Sequence, residues 1–295
     1  MTKAQSKNYE MDMCNGPVLG KMILFTLPLI CSGVLQLLFN AADVIVVGRF
    51  AGDHALAAVG STGSLVNLFV TLFMGLSIGV NVLVARFYGA KQEDQLKETI
   101  HTSILLSLIS GVILAVLGVI FSPVILKWMQ APPEVLPLAS IYLRVYFLGM
   151  PASMLYNFSA AILRAVGDTK RPLAYLSIAG VINVSLNLFF VIVLKWSVFG
   201  VGLATTISQV VSAILVLRCL MHEEGGIRVE LRELRIHGDK AKKIMQIGIP
   251  SGMQNVLFSL SNVLIQSAIN SFGATVVAGN SAAANIEGFV YAAMN

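Results

Sequence analysis

The sequence contains few charged residues and few cysteines. Only 12% of its 295 residues are charged, whereas soluble domains carry about 25%. The three cysteines lie far apart, and the four histidines fall in predicted loops or at predicted helix ends. The sequence has no Walker A motif and no His/Cys cluster with metal-ligand spacing. These absences exclude an ordinary soluble domain, a disulfide framework and a nucleotide-driven pump, and we expect no enzymatic activity.

Long apolar runs account for most of the chain. Hydrophobic residues make up 56% of the sequence, and the mean hydropathy is +0.81. About 20 apolar residues suffice to cross a bilayer as a helix, so we predict an all-α polytopic membrane protein. The predicted spans are 24–48, 62–87, 101–127, 138–164, 173–195, 198–220 and 246–271, with an eighth starting near Thr275. Because the sequence stops at Asn295 inside an apolar run, we expect a piece of a longer protein.

The positions of the basic residues predict the topology. If the N-terminus is cytoplasmic, 16 of the 20 lysines and arginines lie on the cytoplasmic side of the predicted spans. The positive-inside rule therefore favours this orientation in the cell (inner) membrane. It also explains the net charge of +5 without a nucleic-acid partner. Residues 221–244 mix both charge signs and are predicted to form a cytoplasmic connector.

A weak internal repeat indicates two related halves. Pro28 precedes Asn40 by 12 residues, and Pro250 precedes Asn262 by the same interval. Six spans separate the two starts, so both copies enter the membrane from the same side, as in parallel-repeat transporters. We predict a six-helix N-terminal lobe over 1–220, the connector over 221–244, and the start of a second lobe over 245–295. Each proline either bends its helix or sits harmlessly in its first turn.

One carboxylate lies deep inside the first apolar run. On a helix, Ser32, Gln36, Asn40 and Asp43 share one face. A charge at membrane depth costs several kcal/mol, so Asp43 is a functional candidate. The alternative is a carboxylic acid that only packs helices together. Glu287 is the other acid inside an apolar run, and its role stays open.

Polar residues also recur at helical spacing in later spans. Hydrogen bonding between helices explains any one of these stripes, whereas all of them together favour a water-filled central cleft. The small residues of 75–79 are expected to serve close packing. The stripes are Ser153 and Asn157; Asn183 and Asn187; Thr205, Gln209 and Ser212; and Asn255, Ser259, Asn262, Gln266 and Asn270.

Several segments resemble the multidrug and toxic compound extrusion (MATE) transporters. They are PLICSGVLQLLFNAADVIVVGRFAGDHALAAVG (28–60), GLSIGVNVLVARFYGAKQED (75–94), NFSAAILRAVGDTKRPL (157–173), GVGLATTISQ (200–209) and AANIEGFVYAAMN (283–295). The resemblance implies twelve helices in two six-helix lobes. It also implies export of drugs and organic cations by alternating access, driven by H⁺ or Na⁺, with no other cofactor. We expect a monomer whose other partners are membrane lipids.

The resemblance also implies a site. Asp43 matches the family's cation-coupling acid and is the candidate Na⁺ ligand, while Asn183 and Thr205 match its Asn and Thr partners. Asn187 stands where the family's first-lobe site has a second acid, which leaves the coupling ion open because an amide cannot take up a proton. Gln36 and Asn157 match cavity-lining positions and, with Asn40, are the predicted substrate-binding residues.

A flippase and a membrane-embedded enzyme are the alternative functions. A flippase for lipid-linked saccharides shares this architecture but needs a cationic cavity for pyrophosphate. The expected lining is amide, hydroxyl and carboxylate, with Arg144 and Arg164 near span ends. A membrane-embedded enzyme would need a nucleophile–base pair or a metal cluster at membrane depth, and the sequence shows neither.

Overall fold

A computed structural model describes residues 18–223 and 225–294 and shows a helical protein. The helices are α1 (Val18–Phe50), α2 (Asp53–Gly89), α3 (Glu93–Trp128), α4 (Leu136–Leu148), α5 (Met150–Ala165), α6 (Lys170–Leu188), α7 (Ser197–Met221), α8 (Gly238–Asn270) and α9 (Ala274–Met294). Two short 3₁₀ turns, Gly225–Ile227 and Leu231–Glu233, lie in the α7–α8 loop.

The lengths and compositions of these helices agree with a multi-pass membrane protein. Among the described residues, five helices are long and apolar enough to cross a bilayer, or six if a bent pair counts as one span. Helix α8, predicted as the seventh span, is not among them. Its first turns carry Asp239, Lys240, Lys242 and Lys243, which extend it beyond the predicted apolar segment.

The predicted fourth span is broken rather than continuous. Helices α4 and α5 meet at Gly149 with a bend of 47°. Pro151 lies in the first turn of α5 and has no N–H to donate to the preceding turn, which explains the break. Helix α3 passes close to this bend: a Cβ on Gly111 would lie 2.4 Å from the Cα of Pro151. The bend is therefore packed against its neighbour.

Two other spans differ from their predictions. Helix α6 continues as one turn of π-helix, Phe189–Val193, which starts two residues after Asn187; such turns often occur at functional sites. Pro28 and Pro250 both lie well inside α1 and α8, so the first-turn alternative is wrong for both. The hydroxyl of Ser32 donates to the carbonyl of Pro28 at 2.8 Å, one turn away.

Helix α2 lies at the centre of the packing and contacts α8 most extensively. The two helices cross through glycines: Gly75 and Gly79 face Gly248 and Gly252. A Cβ on Gly75 would lie 2.4 Å from the Cα of Gly252, so no larger residue fits at this crossing. The prediction that the small residues of 75–79 serve close packing is confirmed.

A buried acid fixes the turn between α5 and α6. The Asp168 side chain is fully buried, and its Oδ1 accepts hydrogen bonds from the backbone N–H groups of Lys170 and Arg171, each at 3.1 Å. The Arg171 guanidinium bonds both Asp168 and Glu223, which joins this turn to the end of α7. These bonds hold the end of α5 and the start of α6, two helices that line the site described next.

Candidate functional site

A cleft of about 800 Å³ lies between α1, α2, α4, α5, α6 and α7. Most of its described lining residues are polar, and apolar and aromatic side chains supply the rest. Helix α8 contributes Asn255. The polar and charged residues in the lining are Gln36, Asn40, Asp43, Asn67, Thr71, Ser77, Asn81, Tyr142, Tyr146, Ser153, Tyr156, Asn157, Arg164, Asn183, Thr205, Ser208, Gln209, Ser212 and Asn255.

The structure brings the predicted cation-coupling residues together at one part of this cleft. Asn187 donates a hydrogen bond from Nδ2 to Oδ1 of Asp43, joining α6 to α1. The same Nδ2 lies 3.3 Å from Oδ1 of Asn183, one turn earlier. Asn183 in turn donates to Oγ1 of Thr205 on α7 at 3.3 Å. Four side chains from three helices therefore form one connected polar chain that ends on the carboxylate.

One acceptor among these four hydrogen-bonded side chains has no partner in the described part of the protein. The side chain of Asn187 is fully buried, and its Oδ1 makes no hydrogen bond to any described residue. Burying an unsatisfied carbonyl oxygen costs about 1–3 kcal/mol. The open Oδ1, the Asp43 carboxylate and the Thr205 hydroxyl are oxygen ligands of the kind that hard cations prefer. The described part of the chain contains no group of three or more His, Cys, Asp or Glu residues that would hold a transition metal.

The predicted substrate-binding residues all line the cleft. Gln36 and Asn40 lie on the α1 face that carries Asp43, and Asn157 lies on α5. Asn157 donates to the carbonyl of Ser153 at 2.8 Å, so its amide oxygen is left for other partners. Ser32, the first member of the predicted α1 stripe, is bonded to its own helix and is not part of the lining.

Two predicted residue groups lie elsewhere. Of the α8 stripe, Asn255 lines the cleft, whereas Gln266 and Asn270 are buried at the far end of the helix. There Gln266 donates to Asn270 at 2.9 Å, and Asn270 donates to the carbonyl of Met129 at 2.9 Å. Glu287 has an exposed side chain on α9 and is not among the described lining residues.

The cleft contains residues that the sequence reading missed. Arg164 lines it, so the expected lining of amide, hydroxyl and carboxylate alone was wrong. The spacing of Ser153, Asn157 and Arg164 would have placed all three on one helical face. Asn81 is also new, and its amide donates to the carbonyl of Ala161 at 2.9 Å. Three tyrosines, of α4 and α5, complete the aromatic part: Tyr142, Tyr146 and Tyr156.

This fold and site define an all-α, multi-pass membrane protein with a polar cleft between its helices. The family model MatE matches residues 28–189, more than half of the chain. The probable multidrug resistance protein YoeA of Bacillus subtilis is 31% identical over 87% of this chain and 57% of its own length. The chain belongs to the MatE family of prokaryotic MATE transporters.

Other comparisons agree with this family. The probable multidrug resistance protein YpnP of Bacillus subtilis is 26% identical over 95% of this chain and 62% of its own length. A multidrug resistance MATE family transporter of the MOP superfamily, solved in an inward-facing conformation, is 28% identical with a TM-score of 0.77. That likeness covers 84% of this chain and 57% of the solved one. The chain thus spans about three fifths of the length of these two curated relatives.

Proposed function

We propose that the protein containing this chain is a cation-coupled exporter of drugs and organic cations. The observation that carries the proposal is the position of Asp43: a carboxylate inside a membrane helix, bonded to Asn187 and facing a cleft of drug size. The names of its relatives support export of several drugs. We further propose that α1–α7 form one lobe, and that the N-terminus is cytoplasmic, as the positive-inside rule favours.

The proposed mechanism is competition for one carboxylate. When Asp43 is ionised and free, the cleft attracts a cationic substrate. When Asp43 takes up H⁺ or Na⁺, its charge is neutralised and the substrate loses its electrostatic partner. Pro28 interrupts the hydrogen bonding of α1 between its start and Asp43, so α1 can bend there as the coupling ion binds. Substrate and coupling ion thus occupy the same site in turn.

The two coupling ions make different demands on the same residues. Proton coupling needs only Asp43. Sodium coupling needs several oxygen ligands, and the Asn187 and Thr205 oxygens would supply them beside the carboxylate. Because Asn187 replaces a second acid, the site would bind Na⁺ with one formal negative charge rather than two. The residues present are compatible with both ions, so a transport experiment must separate them.

The test is transport by the full-length protein that carries this sequence. The protein is reconstituted in vesicles, and ethidium efflux is measured under H⁺ and Na⁺ gradients imposed separately. We expect Asp43→Asn to abolish gradient-driven efflux while the protein still inserts. Glu287→Gln is the matched control, since it neutralises an acid of an apolar helix outside the cleft. Unchanged efflux in Asp43→Asn would remove this acid from the mechanism.

A flippase for lipid-linked saccharides is the second candidate. Arg164 favours it, because a cation in the cleft is what a pyrophosphate group requires. Against it, a pyrophosphate carries several negative charges, whereas the described lining has one guanidinium and one opposing carboxylate. Binding of lipid-linked oligosaccharide without binding of organic cations would reverse the ranking of the two functions.

A further inference from the structure

Arg164 is the one residue with a formal positive charge in the described lining of the cleft. It lies one residue before the end of α5, and its side chain is half-buried. Ser153 and Asn157 precede it on the same helical face, and both also line the cleft. A side chain on this face points back along α5 toward the helix N-terminus, which directs the guanidinium over the cleft.

The Arg164 guanidinium makes few hydrogen bonds to the described residues of the protein. Its Nε donates to the carbonyl of Ala160 on the same helix at 3.1 Å, which is the one hydrogen bond it makes to described residues. No carboxylate in residues 18–223 or 225–294 forms an ion pair with it. A guanidinium has five N–H donors in a planar fork. The outer donors of Arg164 therefore have no anionic partner among the described residues, and because the side chain is half-buried they stay accessible to an anionic group in the cleft.

Arg164 and Asp43 lie toward opposite ends of the cleft. The α5 end that carries Arg164 leads directly into the start of α6 at Lys170. Asn187, which holds Asp43, lies 17 residues further along α6, which is about 25 Å at 1.5 Å per residue. The two charges are therefore too far apart to neutralise each other directly. One end of the cleft favours cations, and the other favours anions.

We propose that Arg164 is an anion-binding subsite of the cleft, which recognises a carboxylate or phosphate group carried by the transported substrate. The planar fork of arginine matches the two oxygens of such a group. The cleft then accepts zwitterionic substrates as well as simple organic cations. The inference rests on the proposed function, since it assigns part of the substrate to a position in the same cleft.

A matched pair of dyes tests the subsite. A free-acid rhodamine and its methyl ester share one cationic ring system, and they differ only in whether the carboxylate is free. Binding of each dye to the full-length protein in nanodiscs is measured by fluorescence anisotropy. We expect Arg164→Gln to weaken binding of the free acid by about tenfold or more, because a hydrogen bond to a charged group is lost. The ester should change by less than about twofold, which also shows that the variant is folded.

Two further variants complete the design. Arg164→Lys keeps the charge without the fork, so it should restore part of the affinity for the free acid. Arg144→Gln removes an exposed arginine of α4 that is not part of the lining, and should leave both dyes unaffected. Equal loss of both dyes in Arg164→Gln, or no loss of either, overturns the subsite. Export of neither dye by the wild-type protein would contradict the proposed function, while the binding comparison still decides the subsite.

The anionic group that Arg164 binds belongs either to the substrate or to a lipid headgroup. A comparison of two lipid compositions separates these sources. Nanodiscs with phosphatidylglycerol are compared with nanodiscs that contain only phosphatidylcholine. The proposal predicts that Arg164→Gln lowers free-acid binding in both. If phosphatidylglycerol displaces the dye from the wild-type protein but not from Arg164→Gln, the subsite holds a lipid headgroup, and its assignment to the substrate is wrong.

Discussion

Two of the buried polar regions of this protein satisfy their polar residues differently. One is the cleft, and the other is the junction where the α7–α8 loop and the start of α8 pack on α3. At the cleft and its wall, Asn187 Oδ1 has no hydrogen-bond partner among the described residues, and Arg164 makes one hydrogen bond to them. At the junction, the buried side chains of Lys240 and His101 have partners on the neighbouring segment. The contrast separates groups that hold the fold from groups left available to a ligand.

The junction is built around Lys240 and His101. The Lys240 side chain is 2% exposed, yet its Nζ contacts Glu98 at 3.2 Å and Asp239 at 2.9 Å, and it also bonds Gln95. The ring of His101 uses both nitrogens: Nδ1 lies 2.8 Å from the carbonyl of Lys97, and Nε2 lies 3.1 Å from the backbone nitrogen of Glu230. Since a carbonyl only accepts and an amide N–H only donates, His101 is neutral with its proton on Nδ1.

The largest effect on stability is expected at Lys240. Lys240→Met removes a buried charge and leaves Glu98, Asp239 and Gln95 without their common partner. We expect a loss of about 3 kcal/mol in unfolding free energy, because several hydrogen bonds to a charged group are lost; thermal denaturation in detergent measures it. Lys242→Met is the control, since Lys242 is an exposed lysine of the same helix. Equal melting temperatures for the two variants would mean that the junction does not hold the loop to α3.

His101 should give the next largest effect. His101→Ala leaves the Glu230 N–H and the Lys97 carbonyl without their side-chain partner, at a cost of about 1–3 kcal/mol. His222→Ala removes an exposed ring that bonds only its own helix, and should change little. Hydrogen exchange of the Glu230 amide reports the junction directly. If its protection survives in His101→Ala, the contact is incidental.

The sequence predicted much of the cleft because helical spacing relates residues along one helix. The α1 face with Gln36, Asn40 and Asp43 followed from that spacing alone. The sequence did not show which faces meet, so the bond from Asn187 to Asp43, 144 positions apart, needed the resemblance and then the structure.

Three other features were missed for different reasons. The position of Arg164 near the end of its span predicts a side chain outside the cleft. In the structure the side chain reaches back along α5 and lines the cleft. The sequence predicts His101 at a helix end, because the four charged residues within 93–100 conceal the true start of α3. The break at Gly149 was missed because α4 and α5 form one continuous apolar run. In each case the prediction followed the local composition, whereas the observed position depends on the three-dimensional geometry of the helices.

Two neighbouring threonines on α7 allow the contrast to be tested with one kind of substitution. Thr205 bonds the carbonyl of Val201 on its own helix at 3.0 Å and accepts from Asn183 in the cleft. Thr206 donates across to the carbonyl of Val145 on α4 at 2.9 Å. We expect Thr206→Val to cost about 1 kcal/mol of stability without changing coupling.

Thr205→Val should behave in the opposite way. Stability should change by less than about 1 kcal/mol, because the lost bonds are intrahelical or long. Coupling-ion affinity should fall, most clearly for Na⁺, since a hydroxyl ligand is removed. Thermal denaturation measures the stability of both variants, and ion-dependent efflux measures their coupling. The same stability loss in both would show that Thr205, like Thr206, holds helices together and is not left available to a ligand.

The smallest effect is expected at the exposed edge of the junction, where Lys97 pairs with Glu233. A side-chain hydrogen bond from Lys97, and then its charge, lower the pKa of Glu233 below its usual 4.5. A lowered carboxyl pKa means that the contribution to stability is present above about pH 4.5 and is lost as the pH falls through the lower, folded-state value. Screening by water and salt keeps this contribution small.

Proteolysis of the α7–α8 loop should therefore accelerate only slightly between about pH 5 and pH 3. Glu233→Gln should remove that pH dependence, whereas Glu230→Gln should keep it, because the one ion pair of the Glu230 side chain with a described residue is to Arg228, at 3.8 Å. A pH dependence that persists in Glu233→Gln would show that the Lys97–Glu233 pair is not its source.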